Sequence, residues 1–235
     1  DVFDMVTTSK IESVTTSFDG VTYLSGQHLD ADLILNMDLA NMKFTFRENE
    51  IKVNDFPLSF DGFFAMPGDD MEMDIKFASN EASIKSLYSL IPAAFTEGYE
   101  NIEAEGTLSF SGFVKGIYNE TSMPAFNVAL LAENGMIKYP DLPTALTNIN
   151  MDMLVNCADG NIDNTSINIK QFHLDFGKNP VDLKMVIKNL KDYDMTADLQ
   201  ASLNLGELST MFPIEDVQMK GLYKIDLHAS GIYDS

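Results

Sequence analysis

The feature that most constrains this chain is an irregular spacing that occurs twice. Ile51-Lys52-Val53-Asn54-Asp55-Phe56-Pro57-Leu58-Ser59-Phe60 and Ile167-Asn168-Ile169-Lys170-Gln171-Phe172-His173-Leu174-Asp175-Phe176 both place apolar residues at relative positions 1, 3, 6, 8 and 10. Side chains of a β-strand alternate with period 2, so one inserted residue turns everything beyond it to the other face. A β-bulge absorbs the insertion and keeps all five apolar residues together. Two stretches of this kind predict a β-protein built from two copies of one unit.

The surrounding elements repeat in the same order. In the first half, Leu33, Leu35, Met37 and Leu39 alternate as a half-buried strand, and Arg47-Glu48-Asn49-Glu50 reads as a polar turn. Asp61-Gly62 permits a kink, and Pro67-Gly68-Asp69-Asp70 is a turn before the alternating Met71, Met73, Ile75 and Phe77. Asn80 is the expected N-cap of a short helix through Ile84, Leu87, Tyr88 and Ile91, stopped at Pro92. Strand returns over Ile102 to Tyr118. In the second half, Asn150-Met151-Asp152-Met153 echoes Asn36-Met37-Asp38-Leu39, and a helix from Glu207 to Phe212 ends at Pro213. Gly221 and Gly231 follow Gly106 and Gly116 at a constant offset of 115. The predicted architecture is mainly β. It is an elongated, twisted antiparallel sheet of two repeats, each with one short Pro-terminated helix packed on it. The units divide as 1–118 and 119–235, or form one continuous domain over 1–235.

Tyr193 to Leu205 alternates over 13 residues, a strand of roughly 40 Å at ~3.3 Å per residue. A long strand with one apolar face needs a cover. The pattern favours a closed core; an acyl ligand in an open groove is the alternative. The candidate groove face is Met195, Leu199, Leu203 and Leu205 in the second unit, with Met71, Met73, Ile75 and Phe77 in the first. The 14 Met suit either role, because Met re-packs readily.

Charge narrows the partners. The formal net charge of −21 repels phosphate backbones, which argues against nucleic acid and against flat adsorption on anionic headgroups. One cysteine, Cys157, excludes an intrachain disulfide. No apolar run reaches 18 residues, so no membrane-spanning helix is expected. The opening Asp1-Val2-Phe3-Asp4 lacks an initiator Met and reads as a cut through a longer protein.

Chemistry-bearing motifs are sparse, and the chain is expected to be non-enzymatic, without metal or cofactor. His173 with Asp175, and Asp226 with His228, are spaced to share a polar strand face. An imidazole–carboxylate pair can serve base catalysis, but no nucleophile stands in a recognisable setting. His28 is expected alone in a polar loop. Asp159-Gly160-Asn161-Ile162-Asp163 begins like a calcium loop; Asn164 and Lys170 then occupy the positions of the required Gly and Glu.

The run Asn134-Gly135-Met136-Ile137-Lys138-Tyr139-Pro140-Asp141-Leu142-Pro143, followed by Asn148-Ile149-Asn150-Met151, resembles the C-terminal region of the AsmA family. So do Asp163 to Ile169, the Phe172-His173 step and Gly177-Lys178-Asn179-Pro180. The resemblance is strongest from about Phe126 to Tyr233. It implies a periplasmic segment of a larger Gram-negative envelope protein, held at the inner membrane by an anchor outside this segment. It also implies a part in outer-membrane biogenesis and lipid transport, with phospholipid or other acyl-chain lipids and envelope proteins as partners. The competing expectation is a structural or protein-interaction module of the envelope. No catalytic residue is carried over.

Overall fold

The computed structural model describes the chain except for residues 19–20, 89, 91–101, 141–143, 212–218 and 233–235. The described residues form a single 12-stranded antiparallel sheet in which spatial order equals chain order. The first six strands are β1 (Val2–Phe18), β2 (Val21–Asp38), β3 (Lys43–Val53), β4 (Phe56–Ala65), β5 (Met71–Ser83) and β6 (Glu103–Tyr118). The second six are β7 (Ala125–Lys138), β8 (Leu146–Cys157), β9 (Ser166–Phe176), β10 (Asn179–Ile187), β11 (Met195–Asn204) and β12 (Leu222–Gly231). Helix α1 (Ile84–Tyr88) follows β5, and α2 (Leu205–Met211) follows β11. The expected mainly-β sheet with a short helix in each half is therefore present. The sheet passes through the 118/119 boundary without a break, since β6 pairs with β7 from Glu103↔Lys138 to Lys115↔Ala125.

The two stretches that suggested the repeat do not share a backbone. Residues 167–176 lie in one strand, β9, bulged as expected: Ile169 and Phe172 pair with Met185 and Leu183, so Lys170-Gln171 oppose Lys184 alone. Residues 51–60 instead form a hairpin. Val53 pairs with Phe56 across the two-residue turn Asn54-Asp55, and Asn54 takes a positive φ of 53°. Both geometries put relative positions 3 and 6 on one face. In the hairpin they are cross-strand partners; in β9 they flank the bulge.

The duplication persists in a different register. β3 has its own bulge at Arg47-Glu48, opposite Asp61, because Phe46 pairs with Gly62 and Asn49 with Phe60. Phe46 thus corresponds to Ile169, an offset of 123, and at that offset Asn54 meets Gly177 and Pro57 meets Pro180. The run Arg47–Glu50, expected as a turn, is the middle of a strand. Its polar residues sit where the bulge interrupts alternation.

The helix starts are also equivalent. The Ser86 N–H donates to Ser83 Oγ at 2.9 Å, and the Gly206 and Glu207 N–H groups donate to Asn204 Oδ1 at 3.0 and 3.2 Å. These are N-caps, in which a side-chain oxygen satisfies otherwise unpaired first-turn amides. Asn80, the expected cap, lies inside β5. The expected stops at Ile91-Pro92 and Phe212-Pro213 lie outside the described residues. The long ribbon ends early: β11 covers Met195–Asn204, about 33 Å. Tyr193 belongs to the preceding turn at φ 46°, and Leu205 opens α2. β1, a 17-residue strand in the Thr- and Ser-rich start, was not predicted. Alternation there is weak, and only pairing with β2 defines it. Asp19-Gly20, a turn signal in the sequence, lies outside the described residues.

A dry core forms at one corner. Phe56, Ala82, Leu108 and Ala132 are buried, with Ile84 and Leu87 of α1 packed over them beside Phe110, Leu130 and Met151. α1 lies against β5 and β6. Odd-numbered strands of an antiparallel meander run in one direction, so α1 and α2 stand at the same rim of the sheet.

Candidate functional site

Directly opposed residues of neighbouring antiparallel strands share a face. Partners followed from Phe77 run through Gly112, Val128, Val155, Ile167 and Ile187 to Met195. The two candidate sets, on β5 and β11, therefore lie on one face although five strands stand between them. A second row runs Leu108, Ala132, Met151, Phe172, Leu183, Leu199 and Leu227. Towards β1 the face continues from Ile75 through Gly62, Phe46 and Leu35 to Met5. Met71, Met73 and Leu203 belong to the same face by strand alternation. Leu205 does not, because it is helical.

Away from the α1 corner this face is only partly shielded. Met153, Ile169, Met185 and Leu199 keep some exposure, although each has an apolar neighbour on both adjacent strands. A residue so flanked in a two-layer sandwich would be fully buried. On the outer strands Phe3 and Leu227 are 47% and 46% exposed, and Met71 at the start of β5 is 40% exposed. Among the described residues the buried apolar cluster lies in the corner under α1, while Phe176, Met211 and Cys157 are buried apart from it. An open hollow of about 640 Å³, lined by Tyr193, Met195, Ala229 and Ile232, marks the opposite rim of the second unit.

The lining differs between halves. The first carries aromatic rings: Phe46 meets Phe60 edge-on with centroids 5.3 Å apart, and Phe110 lies 5.7 Å from Phe56 and 5.9 Å from Phe77. The Phe77 ring covers Gly112, where an added Cβ would come within 2.7 Å of its Cζ. The second half is lined mainly by Leu, Ile, Val and Met, with Phe126, Phe172 and Phe176 on the same face. Sequence periodicity gave the strand faces but not their union, because the order of twelve strands is a tertiary fact.

The reverse face is mainly polar, with Val6, Ile34, Leu131 and Val186 exposed on it, and it carries the ion pairs. His173 Nδ1 is 2.8 Å from Asp182 and its Nε2 is 3.5 Å from Asp175. His228 pairs with Asp198 at 2.7 Å rather than with Asp226. The Asp182 and Asp198 contacts cross strands and the Asp175 contact lies within β9; pairs on a solvated face contribute about 0–1 kcal/mol. His28 is in β2, not a loop, 3.2 Å from Asp30. No group of three or more metal-ligating His, Cys, Asp or Glu residues occurs among the described residues. Cys157 is buried, with its Sγ 3.4 Å from the Asn161 carbonyl. In the calcium-like segment, Asp159 accepts from the Asn161 N–H at 3.0 Å and from the Asn164 side chain at 2.7 Å. Those bonds, the Asn164 contact foremost, hold its carboxyl below the ordinary carboxylate value. No described helix is long and apolar enough to cross a membrane.

No known family profile, curated protein or solved structure matches this chain.

Proposed function

We propose that this chain is a non-catalytic β-scaffold that holds lipid acyl chains against its apolar face, as a periplasmic segment of an AsmA-like envelope protein taking part in outer-membrane biogenesis. The observation that carries the reading is an apolar face continuous over twelve strands and left partly open to water. Covering such a face with hydrocarbon gains roughly 25 cal/mol per Å². Lipid headgroups would remain in solvent. The acidic exterior suits a carrier that does not adhere to anionic bilayers. The resemblance at Asn134–Pro143 supplies the envelope setting.

Delipidated chain should bind a fluorescent fatty acid or a short-chain phospholipid. Leu199→Asp and Met185→Asp should each reduce binding at least tenfold while the β circular-dichroism spectrum is retained. Binding unchanged by both substitutions would reject the site. The packed corner under α1 favours a second reading, a structural or docking module. Complete absence of lipid binding by a folded chain would select it.

A further inference from the structure

We propose that three neighbouring turns at the rim away from the helices form a docking strip for a cationic amphipathic helix of a protein partner. They are the β6–β7, β8–β9 and β10–β11 turns, residues 119–124, 158–165 and 188–194. Each presents a large apolar side chain to water: Met123 at 46% exposure beside Tyr118, Ile162 at 43% and Tyr193 at 50%. Single exposed apolar residues need no explanation, whereas a row of them on one rim marks an interaction surface. All three turns are internal connections. They lie beyond the strand ends rather than on the apolar face, so the inference does not depend on the lipid reading.

The turns are fixed to one another. The Asp163 carbonyl accepts from the Leu190 and Lys191 N–H groups at 2.9 and 3.0 Å, which joins the β8–β9 and β10–β11 turns. Gly160 lies so close to the Met123 carbonyl that no Cβ fits there, which seats the β8–β9 turn against β6–β7. Asn119 donates to Asp70 of the β4–β5 turn at 2.9 Å and holds the other end of the strip. A surface set in one geometry before binding loses little entropy on docking. Between the first two turns is a hollow of about 680 Å³, walled by Tyr118, Met123 and Ile162 and edged by Glu120 and Asp159. It suits a lysine or arginine whose stem packs on the apolar wall while its charge meets the carboxylates.

Charge and spacing select the occupant. The three turns carry Glu120, Asp159, Asp163, Asp192 and Asp194 against Lys188 and Lys191, and Lys188 already pairs with Asp194 at 2.9 Å. Such a strip attracts a basic partner and repels an anionic bilayer. Successive turns of this rim are two strands apart, ~9.6 Å. A helix returns to the same face after seven residues, ~10.5 Å, whereas a strand repeats at ~6.7 and ~13 Å and misses the step. Two heptads, about 15 residues, therefore span the strip.

The full chain is titrated with a labelled Lys-rich helical peptide of about 18 residues bearing Leu at heptad spacing, read by fluorescence anisotropy. A second peptide of the same composition has its Leu residues spread over all faces. The heptad peptide should bind saturably, and the spread peptide about tenfold more weakly. Ile162→Ser combined with Tyr193→Ser should weaken binding about tenfold, and Glu120→Lys about threefold, with fatty-acid binding unchanged by either. These side chains are exposed, so the β circular-dichroism spectrum should be retained. Equal binding of the two peptides, indifference to the substitutions, or no binding at all overturns the proposal. Displacement of the peptide by fatty acid also overturns it, because the peptide would then sit on the apolar face. So does capture of the chain by phosphatidylcholine vesicles through Ile162 and Tyr193 without peptide binding, which would assign the strip to a bilayer.

Discussion

The difference between the packed corner and the open face can be measured as a difference in the cost of one chemical change. Leu108 and Leu199 stand in the same row of the apolar face, yet Leu108 is 4% exposed beneath α1 and Leu199 is only partly shielded. Leu108→Ala removes roughly 0.8 kcal/mol for each carbon taken out of the core and leaves a cavity that Phe56, Ala82 and α1 close incompletely. The total should fall in the upper part of the ~2–5 kcal/mol range for such changes. At Leu199 the vacated space opens to solvent. The cavity contribution vanishes, and the partial transfer loss leaves about 1.5 kcal/mol. A chain of this size shifts its midpoint about 2–4 °C per kcal/mol. Leu108→Ala should therefore lower Tm by about 8–16 °C and Leu199→Ala by about 3–6 °C. Thermal melts followed by circular dichroism, supported by urea titration, would read both. Equal losses at the two sites would mean that β11 is covered as tightly as β6, and the open-face reasoning would fail.

Gly62→Ala should be strongly destabilising, because its Cβ would fall 1.9 Å from the Asp74 carbonyl oxygen at φ +125°, whereas Gly231→Ala, with open space around it, should change Tm by under a few degrees. Asn179 is fully buried, donates to the Phe176 carbonyl at 2.7 Å and accepts from the Asn204 N–H. Asn179→Ala should cost about 1–3 kcal/mol in urea unfolding, since a fully buried side chain loses both its hydrogen bonds. His228→Ala should change stability by less than about 1 kcal/mol, as expected of an exposed pair, and neither it nor His173→Ala, at a half-buried site on the same reverse face, should alter lipid binding. The Asp159 carboxyl is held below its ordinary value, so its contribution to the β8–β9 turn is present above the ordinary carboxylate range and lost as pH falls through the lowered value. The protection of the Asn161 amide against exchange, relative to an unstructured chain at the same pH, should fall on that acid side, and Asp159→Ala should show the lowered protection at neutral pH as well.

Strand content and the two helices were legible because alternation over residues 71–77 and 195–204, and helical spacing at Ile84 and Leu87, are each produced by local periodicity. The shared bulge was legible only in part. A bulge and a two-residue hairpin both bring apolar residues three apart onto one face, so the 1, 3, 6, 8, 10 spacing cannot separate them. The intervening residues can. Asn54-Asp55 tolerates positive φ and reverses a chain, whereas Lys170-Gln171 has no such preference. Reading those dipeptides before the apolar pattern aligns Asn54 with Gly177 and Pro57 with Pro180, and it places the first bulge at Arg47-Glu48. The Asn80 cap was misplaced for a related reason. β5 carries an additional residue between Ser79 and Ala82, with Glu81 at φ 55°, and this carries the strand on to Ser83.

The same comparison bears on how the two halves divide the work of the fold. Phe56 and Asn179 are equivalent at the offset of 123, and both are buried beside the start of a helix. Phe56 fills its site with a ring stacked on Phe110, under a helix that packs on two strands. Asn179 fills its site with hydrogen bonds that tie the β9–β10 turn to the cap of α2. One corner is closed by hydrophobic packing and the other by a polar clasp, and the clasp consumes little apolar area. If the second unit is the part that holds hydrocarbon, a polar clasp there leaves its Leu, Ile and Met side chains free for the ligand. The aromatic first unit would then supply most of the stability of the sheet. Exchanging the two chemistries therefore tests the division: Asn179→Phe, even where it folds, should draw Leu174 and Leu203 inward and lower lipid affinity in the second unit, while Phe56→Asn should unfold the first.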